Sequence, residues 1–155
     1  YLDFARGEGG EAVQRLAVLP IVEAVAEGAR RGGTVVTTAG DAALTAPLRP
    51  NALRRALANL VSNAAAYGQH VELSVREADG GVEILVDDDG PGIAPEQRED
   101  AFRPFNRFDA ARNQNEKGVG LGLAIARDVA RAHGGEVKLE TSPLGGLRAV
   151  VRLPG

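Results

Sequence analysis

The sequence predicts an α+β two-layer sandwich, in which helices pack on one face of a mixed, largely antiparallel sheet. Some segments repeat apolar residues at helical spacing and end at glycines, whereas others alternate apolar and polar residues around glycine-rich turns. The chain has 155 residues, of which 44% are hydrophobic and 25% are charged. This length and composition are typical of one globular domain that buries its own core.

Helices are predicted over residues 20–31, 50–67, 96–102 and 119–133. The 50–67 segment has the clearest pattern, because a proline occupies its first turn, Gly68 follows its last residue, and its apolar residues share one face. These apolar residues are Leu53, Leu57, Leu60, Val61 and Ala64.

Short β-branched or alternating runs predict strands at 34–38, 42–46, 70–77, 82–86, 136–141 and 147–153. The third and fourth strands flank a Gly-Gly turn and are expected to form an antiparallel hairpin. Residues 1–19 are interpreted as the end of an upstream element followed by a linker. Residues 104–117 are polar, rich in arginine and without clear periodicity, and they are predicted to form a mobile lid.

The composition excludes several classes of function. A net charge of −3 gives no basic field of the kind that binds nucleic acid or an anionic membrane. The absence of cysteine excludes disulfides, thiolate metal sites and a cysteine nucleophile. No apolar run approaches the length of a membrane span, and no signal peptide is visible. Because the chain begins at Tyr1 rather than methionine, we expect it to be a fragment of a longer protein.

Two asparagines four residues apart, Asn59 and Asn63, lie on one face of the predicted 50–67 helix. An amide carbonyl oxygen is a hard, neutral ligand that suits Mg²⁺ whose charge is largely neutralised by phosphates. The alternative is that both side chains are solvated polar positions without a ligand. The pair therefore indicates a magnesium site only in combination with other motifs.

A second motif, Asp-Asp-Gly-Pro-Gly-Ile at residues 88–93, follows the fourth predicted strand. The carboxylate of Asp88 can accept hydrogen bonds from an exocyclic amino group such as that of adenine. Gly90 and Gly92 allow the backbone to turn tightly and to approach a planar ligand closely. The alternative is an ordinary acidic turn, because Asp-Gly and Pro-Gly are common turn formers.

A glycine-rich hexapeptide, Gly-Val-Gly-Leu-Gly-Leu at residues 118–123, opens the last predicted helix. Alternating glycines leave backbone N–H groups unobstructed, and a helix N-terminus adds positive potential, so the segment is suited to cradle phosphate. A dinucleotide-binding turn is the rival interpretation, but it requires a preceding strand and the pattern G-x-G-x-x-G. Here a polar segment precedes the glycines and the pattern is G-x-G-x-G, so the context disagrees with that rival.

In order and spacing, four motifs resemble the N, G1, F and G2 boxes of sensor histidine kinases, most closely those of the EnvZ-like subgroup. They are Asn-Leu-Val-Ser-Asn-Ala-Ala-Ala-Tyr at 59–67, Asp-Asp-Gly-Pro-Gly-Ile at 88–93, Phe-Arg-Pro-Phe at 102–105 and Gly-Val-Gly-Leu-Gly-Leu at 118–123. The resemblance implies the Bergerat (GHKL) ATP-binding fold over residues 20–155. It also implies that residues 1–19 are the end of a dimerisation helix and a linker, and that the ATP lid is about 104–117.

The same resemblance implies site residues for ATP and Mg²⁺. Asn63 would ligate Mg²⁺ with support from Asn59, and Asp88 would recognise adenine. The other implied contacts are Tyr67, Gly90, Gly92 and Ile93 around the base, Gly118, Val119, Gly120, Leu121, Gly122 and Leu123 at the phosphates, and the candidate phosphate cations Arg103, Arg107, Arg112 and Lys117.

The activity implied by the resemblance is that of a protein histidine kinase, an ATP-dependent transferase of two-component signal transduction. The isolated domain would lack the phosphoacceptor histidine. Its partners would be the dimerisation and phosphoacceptor domain of the same kinase and a cognate response regulator, with no nucleic acid and no membrane contact. It would belong to the cytoplasmic part of a bacterial inner-membrane sensor.

One departure from the family pattern is Ala66, where the family usually carries Lys or Arg near the phosphates. A cationic contact to phosphate contributes about 1.5–3 kcal/mol, so its loss need not abolish binding. The alternatives are a GHKL ATPase of the gyrase, Hsp90 or MutL kind, a non-catalytic nucleotide-binding module that docks partners, and a serine-kinase anti-sigma factor. The ATPases place a glutamate at the position of Asn59 to activate water, and an amide cannot act as that base.

Overall fold

The computed structural model of the chain describes residues 11–103 and 122–155. The strands are β1 (Gln14–Ala17), β2 (Val35–Gly40), β3 (Thr45–Leu48), β4 (His70–Ala78), β5 (Gly81–Asp88), β6 (Glu136–Thr141) and β7 (Leu147–Leu153). The helices are α1 (Leu19–Arg31), α2 (Pro50–Tyr67), α3 (Arg98–Ala101) and α4 (Gly122–Ala132), with a 3₁₀ turn at Pro95–Gln97 before α3. In this described part of the chain, no helix is both long and apolar enough to cross a membrane.

Five of the strands form one mixed sheet in the order β2-β4-β5-β7-β6. β2 runs parallel to β4, and each of the other neighbouring pairs is antiparallel. β1 and β3 form a separate two-stranded antiparallel ribbon. The predicted fold class, an α+β two-layer sandwich with a largely antiparallel sheet, is therefore confirmed.

The hydrophobic core lies between the helices and one face of the five-stranded sheet. In β5, Val82, Ile84 and Val86 alternate onto this face and belong to the same buried cluster as residues of α1, α2 and α4. The predicted apolar face of α2 is confirmed, because its five residues are each at most 3% exposed. β5 is buried along its whole length and ends at Asp88, so the position of that side chain is set by the centre of the sheet.

Two differences from the sequence prediction concern the short ribbon. β1 lies in the stretch interpreted as a linker, and the prediction omits it because four residues with little alternation carry no periodic signal. β3 begins at Thr45 rather than at residue 42. The reason is a local turn before the strand, in which Ala43 N–H donates to Asp41 Oδ1 at 2.8 Å.

Two further differences lie near the end of β5. The strand continues through Asp88, which pairs with Val71 of β4, so it ends two residues after the predicted end at residue 86. The helix predicted over 96–102 is a 3₁₀ turn followed by the four-residue α3. Residues 1–10 and the predicted lid at 104–117 lie outside the described residues.

The N-terminus of α2 is capped by Glu11, which precedes Asn51 by 40 residues. Arg49 before the helix provides no side-chain cap, but the Glu11 carboxylate accepts hydrogen bonds from Asn51 N–H at 2.8 Å and Ala52 N–H at 3.0 Å. A carboxylate here satisfies donors that have no partner within the helix. Arg49 N–H in turn donates to His133 Nε2, just after α4, at 3.0 Å. The Arg49–His133 bond therefore links the start of α2 to the end of α4.

Candidate functional site

The C-terminal half of α2 carries Asn59, Asn63 and Tyr67 at intervals of four residues, and hence on one face. All three are partly exposed, whereas Leu60 and Val61 between the asparagines are buried in the core. The helix therefore holds both amides at the border between core and solvent. One amide supplies a single neutral oxygen, so Mg²⁺ at Asn63 would take its other ligands from nucleotide phosphates and water.

Three consecutive aspartates at the end of β5 have three different surroundings. Asp87 lies on the sheet face away from the helices and forms an ion pair with Arg148 of β7, with Nε and Oδ1 2.8 Å apart. Asp88 lies on the core face and is 2% exposed. Asp89 follows the strand and contacts the end of α2. The sequence singles out Asp88 alone. Because successive side chains of a strand point to opposite faces of the sheet, Asp88 has different surroundings from its neighbours.

Asp88 is held by backbone donors from two segments. Its Oδ1 accepts hydrogen bonds from Gly90 N–H at 2.9 Å and from Leu147 N–H at 3.1 Å. Its carbonyl oxygen accepts a further bond from Gly146 N–H at 3.1 Å. These bonds fix the direction of the carboxylate, as recognition of an amino group on a ligand requires.

Asp89 ties the end of β5 to the junction between α2 and β4. Its Oδ1 accepts hydrogen bonds from Gln69 N–H at 2.7 Å and His70 N–H at 3.2 Å. Gly68 ends α2 in an extended conformation, with φ −115°, and not in the left-handed conformation common at helix ends. A Cβ added at Gly68 would lie 2.7 Å from Asp89 Oδ1. The helix-ending glycine predicted from the sequence is thus needed for space beside Asp89.

The glycines after Asp88 bring the loop against α2. A Cβ added at Gly90 would lie 2.7 Å from the carbonyl oxygen of Tyr67. Gly92 has φ +72°, a left-handed conformation that favours glycine. Ile93 is 6% exposed and anchors the loop in the core. The end of α2, which carries Asn59 and Asn63, therefore meets the loop that follows Asp88 (the Asp88 loop, residues 89–93). The two are separate motifs in the sequence.

Gly146 also lies at this site, although no sequence motif includes it. A Cβ added there would overlap Asp88 Oδ1 and lie 2.6 Å from Gly90 N. Gly146 belongs to the Ser-Pro-Leu-Gly-Gly segment at 142–146, which has the residues of an ordinary turn between the last two predicted strands. Its place beside Asp88 follows from the pairing of β7 with β5, and periodicity within a strand carries no information about that neighbour.

The described start of α4 completes the cluster. A Cβ added at Gly122 would lie 3.7 Å from the carbonyl oxygen of Asn59, and Leu123 is 3% exposed. Arg103 has a side chain that is 75% exposed and lies 3.4 Å from Asp100 Oδ1. Seven other predicted site residues lie outside the described residues: Arg107, Arg112, Lys117, Gly118, Val119, Gly120 and Leu121.

A groove of about 660 Å³ between α1 and α2 is separate from this cluster. Small and apolar residues line it, among them Val25, Ala29, Ala58 and Ala66. Asn59, Asn63 and Asp88 are not among its lining residues. We therefore assign the candidate site to the junction of α2, β5 and α4 and not to this groove.

The tether at Asp89 predicts a pH dependence of stability. Hydrogen bonds from the N–H groups of His70 and Gln69 hold the pKa of the Asp89 carboxyl below its usual range. A carboxyl whose pKa is lower in the folded than in the unfolded state makes its full contribution to stability above the unfolded-state pKa, about 4. That contribution is lost as pH falls through the folded-state pKa. Asp89→Asn keeps an acceptor oxygen but loses the charge.

Urea unfolding of the chain and of Asp89→Asn between pH 7 and pH 3 checks this. We expect the gap in the free energy of unfolding between the parent chain and Asp89→Asn to be constant above about pH 5. The gap should become smaller below about pH 4. A gap that stays constant to pH 3, or widens, would contradict the assigned role of the Asp89 charge.

Comparison with known proteins identifies the family. Residues 49–155 match the family model for histidine kinase-, DNA gyrase B-, and HSP90-like ATPases. The sensor histidine kinase CpxA of Escherichia coli (strain K12) is 52% identical over 106 residues, which are 68% of this chain and 23% of CpxA. The sensor protein RstB of the same strain is 47% identical over 97 residues, which are 62% of this chain and 22% of RstB.

A solved structure agrees with these relatives. The ATP binding domain of PrrB from Mycobacterium tuberculosis superposes with a TM-score of 0.78 at 32% identity, covering 92% of this chain and 97% of that one. This likeness confirms the Bergerat (GHKL) fold, and the relatives are consistent with the EnvZ-like subgroup. The chain spans less than a quarter of the length of CpxA and RstB. It therefore belongs to the histidine kinase-, DNA gyrase B- and HSP90-like ATPase family, in its sensor histidine kinase branch.

Proposed function

We propose that this chain binds Mg–ATP and donates the γ-phosphate to a histidine on a separate dimerisation and phosphoacceptor domain. The observation that supports this most is the meeting of the asparagine face of α2, the Asp88 loop and the start of α4. Gly90 lies against Tyr67 and Gly122 lies beside Asn59. These contacts bring the Asp88 loop, the face of α2 that carries Asn59 and Asn63, and Gly122 of α4 close together, and this proximity supports a nucleotide site between them.

Each residue has a chemical role in this proposal. Asp88 accepts a hydrogen bond from the adenine amino group, and Tyr67, Gly90, Gly92 and Ile93 shape the space around the base. Asn63 supplies an oxygen to Mg²⁺ with Asn59 beside it. The backbone of Gly118, Val119, Gly120, Leu121, Gly122 and Leu123 contacts phosphate, with Arg103, Arg107, Arg112 and Lys117 as the cations.

The residues favour transfer of phosphate to a partner over hydrolysis of ATP. Bound Mg²⁺ neutralises the phosphate charge, and phosphoryl transfer then depends mainly on positioning. The amide of Asn59 cannot take a proton from water, so the role of general base falls outside this helix face. Ala66 contributes no cation to the phosphates, so the affinity relies on Arg103, Arg107, Arg112 and Lys117.

The proposed partners follow from the same activity. The phosphoacceptor domain belongs to the same kinase, and a cognate response regulator receives the phosphate from it. We place the chain in the cytoplasmic part of a bacterial membrane sensor, with no nucleic acid and no membrane contact of its own.

The experiment that tests this function mixes the chain, Mg–ATP labelled at the γ-phosphate and a separate fragment that carries the phosphoacceptor helices. We expect acid-labile, base-stable phosphohistidine on the fragment, and its loss with Asn63→Ala or Asp88→Asn. An Asn51→Ala variant, at the far end of α2 from the site, is the control and should retain transfer. Binding of ATP without phosphohistidine would favour the docking module, and release of free phosphate would favour an ATPase.

A further inference from the structure

Arg127 of α4 joins three elements at once. Its Nη1 donates to Glu99 Oε2 of α3 at 2.7 Å, and its Nε donates to Glu136 Oε1 of β6 at 3.0 Å. Its guanidinium carbon lies 4.1 Å from the centre of the Phe102 ring. The side chain is only 16% exposed, although arginine is usually a surface residue. None of the four sequence motifs includes it.

The contacts of Arg127 need a planar, charged donor. Its hydrogen bonds hold the pKa of Glu99 below the usual range, and Glu99 raises the pKa of Arg127. A guanidinium can donate in two directions while its face stacks on a ring, whereas an ammonium acts as a point charge. The neighbouring Arg131 donates to Glu136 Oε2 at 3.1 Å from the exposed side, and its own side chain is 53% exposed.

Arg127 connects the two elements that flank the predicted lid in the sequence, because it belongs to α4 and contacts α3. Glu99 and Phe102 come just before that segment, and α4 comes just after it. Gly122 at the start of α4 approaches Asn59, and Arg127 follows Gly122 by about one and a half helical turns. One side chain thus connects α3 to the helix whose first turn borders the candidate site.

We propose that Arg127 is a positioning residue for the phosphate end of the nucleotide site. It fixes the distance and angle between α3 and the first turn of α4, and so sets where the backbone of that turn faces the asparagines of α2. The residues that it contacts for this purpose are Glu99, Phe102 and Glu136. The inference rests on the proposed function, because it assigns Arg127 a role in that same site.

Three variants of the chain test this role. Arg127→Met keeps the apolar stem and removes the donors, and Arg127→Lys keeps the charge without the planar fork. Arg131→Met is the matched control, because it removes another donor to Glu136 from the same helix. Calorimetry measures the affinity for Mg–ATP, and competition by NMR measures the affinity for adenosine, which lacks phosphate.

We expect Arg127→Met to weaken Mg–ATP binding about tenfold or more, as loss of a supporting residue does, and to change adenosine binding less than about twofold. Arg127→Lys should fall between Arg127→Met and the parent, and Arg131→Met should match the parent. Unchanged Mg–ATP affinity in Arg127→Met would overturn the proposal. Equal losses for Mg–ATP and adenosine would also overturn it, because they would indicate a general loss of stability.

Amide hydrogen exchange gives a second readout that needs no nucleotide. We expect faster exchange in residues 98–103 and 122–126 of Arg127→Met than in Arg131→Met, because α3 and α4 lose their shared contact. Parental exchange rates in both segments would overturn the proposal. If the unsubstituted chain binds neither ligand, the proposed function fails, and the exchange result still decides whether Arg127 couples α3 to α4.

Discussion

Replacing Gly146 by alanine is expected to weaken Mg–ATP binding about 30-fold, or about 2 kcal/mol, as loss of a charged hydrogen bond does. The added Cβ would overlap Asp88 Oδ1 and lie 2.5 Å from the Asp88 carbonyl oxygen and 2.6 Å from Gly90 N. Two of these three atoms belong to the backbone and cannot move without shifting β5 or its loop. The Asp88 carboxylate would therefore leave the orientation that its backbone donors impose. Isothermal calorimetry with Mg–ATP measures the effect.

Gly145→Ala is the matched control for this prediction. Gly145 has φ +103°, and an added Cβ there would have no atom within 4 Å among the described residues other than Gly145 itself and its two chain neighbours. Alanine there should cost about 1–2 kcal/mol of stability through backbone strain, and it should leave the affinity within about twofold of the parent. Equal affinities for Gly146→Ala and the parent would show that Gly146 does not position Asp88. A loss in Gly145→Ala as large as in Gly146→Ala would show the same.

Removing the guanidinium of Arg148 is expected to lower the free energy of unfolding by about 3 kcal/mol, because it leaves a buried carboxylate without its partner. Asp87 is 0% exposed, and its two oxygens accept hydrogen bonds from Arg148 Nε at 2.8 Å and Nη2 at 3.2 Å. The pKa of Arg148 is raised chiefly by this hydrogen bonding to Asp87. Urea unfolding of Arg148→Met at pH 7 measures the loss.

Two comparisons make the Arg148 prediction specific. Arg131→Met removes an exposed ion pair with Glu136 and should cost less than about 1 kcal/mol. The double variant Asp87→Leu/Arg148→Met removes both charges of this pair, and it should be more stable than Arg148→Met alone. A cost for Arg148→Met no greater than that for Arg131→Met would contradict the buried pair as a source of stability.

Local sequence patterns predict most of the fold. The 136–141 and 147–153 strands and the α2 helix occur within the predicted bounds, and the hairpin at 70–77 and 82–86 differs by two residues at most. Those segments have clear periods and turn residues at both ends. β1 is not predicted, and neither is the correct start of β3. Both strands have only four residues, and each is ordered by pairing with the other. Such pairing between distant segments leaves no local signal.

Local sequence motifs likewise reveal some residues of the candidate site and not others. Asn59, Asn63, Asp88 and the glycines are found from the sequence because each motif is contiguous. Gly146, Asp89 and Arg127 are not, because their roles arise from neighbours that the fold supplies. β7 brings Gly146 to Asp88, the junction of α2 and β4 gives Asp89 its two donors, and α3 gives Arg127 its main acceptor. Residue type alone would assign these three positions to a turn and to solvated surface.

Calorimetric titration of the chain with ATP, with and without Mg²⁺, tests the central claim most directly. We predict that the chain binds Mg–ATP. Asp88→Asn should weaken ATP binding about 30-fold whether or not Mg²⁺ is present, because it removes the charge of the group that accepts the hydrogen bond from adenine. Asn63→Ala should instead remove only the gain in affinity that Mg²⁺ provides. No binding by the parent chain, or equal Mg²⁺ dependence in Asn63→Ala and the parent, would contradict the proposed nucleotide site.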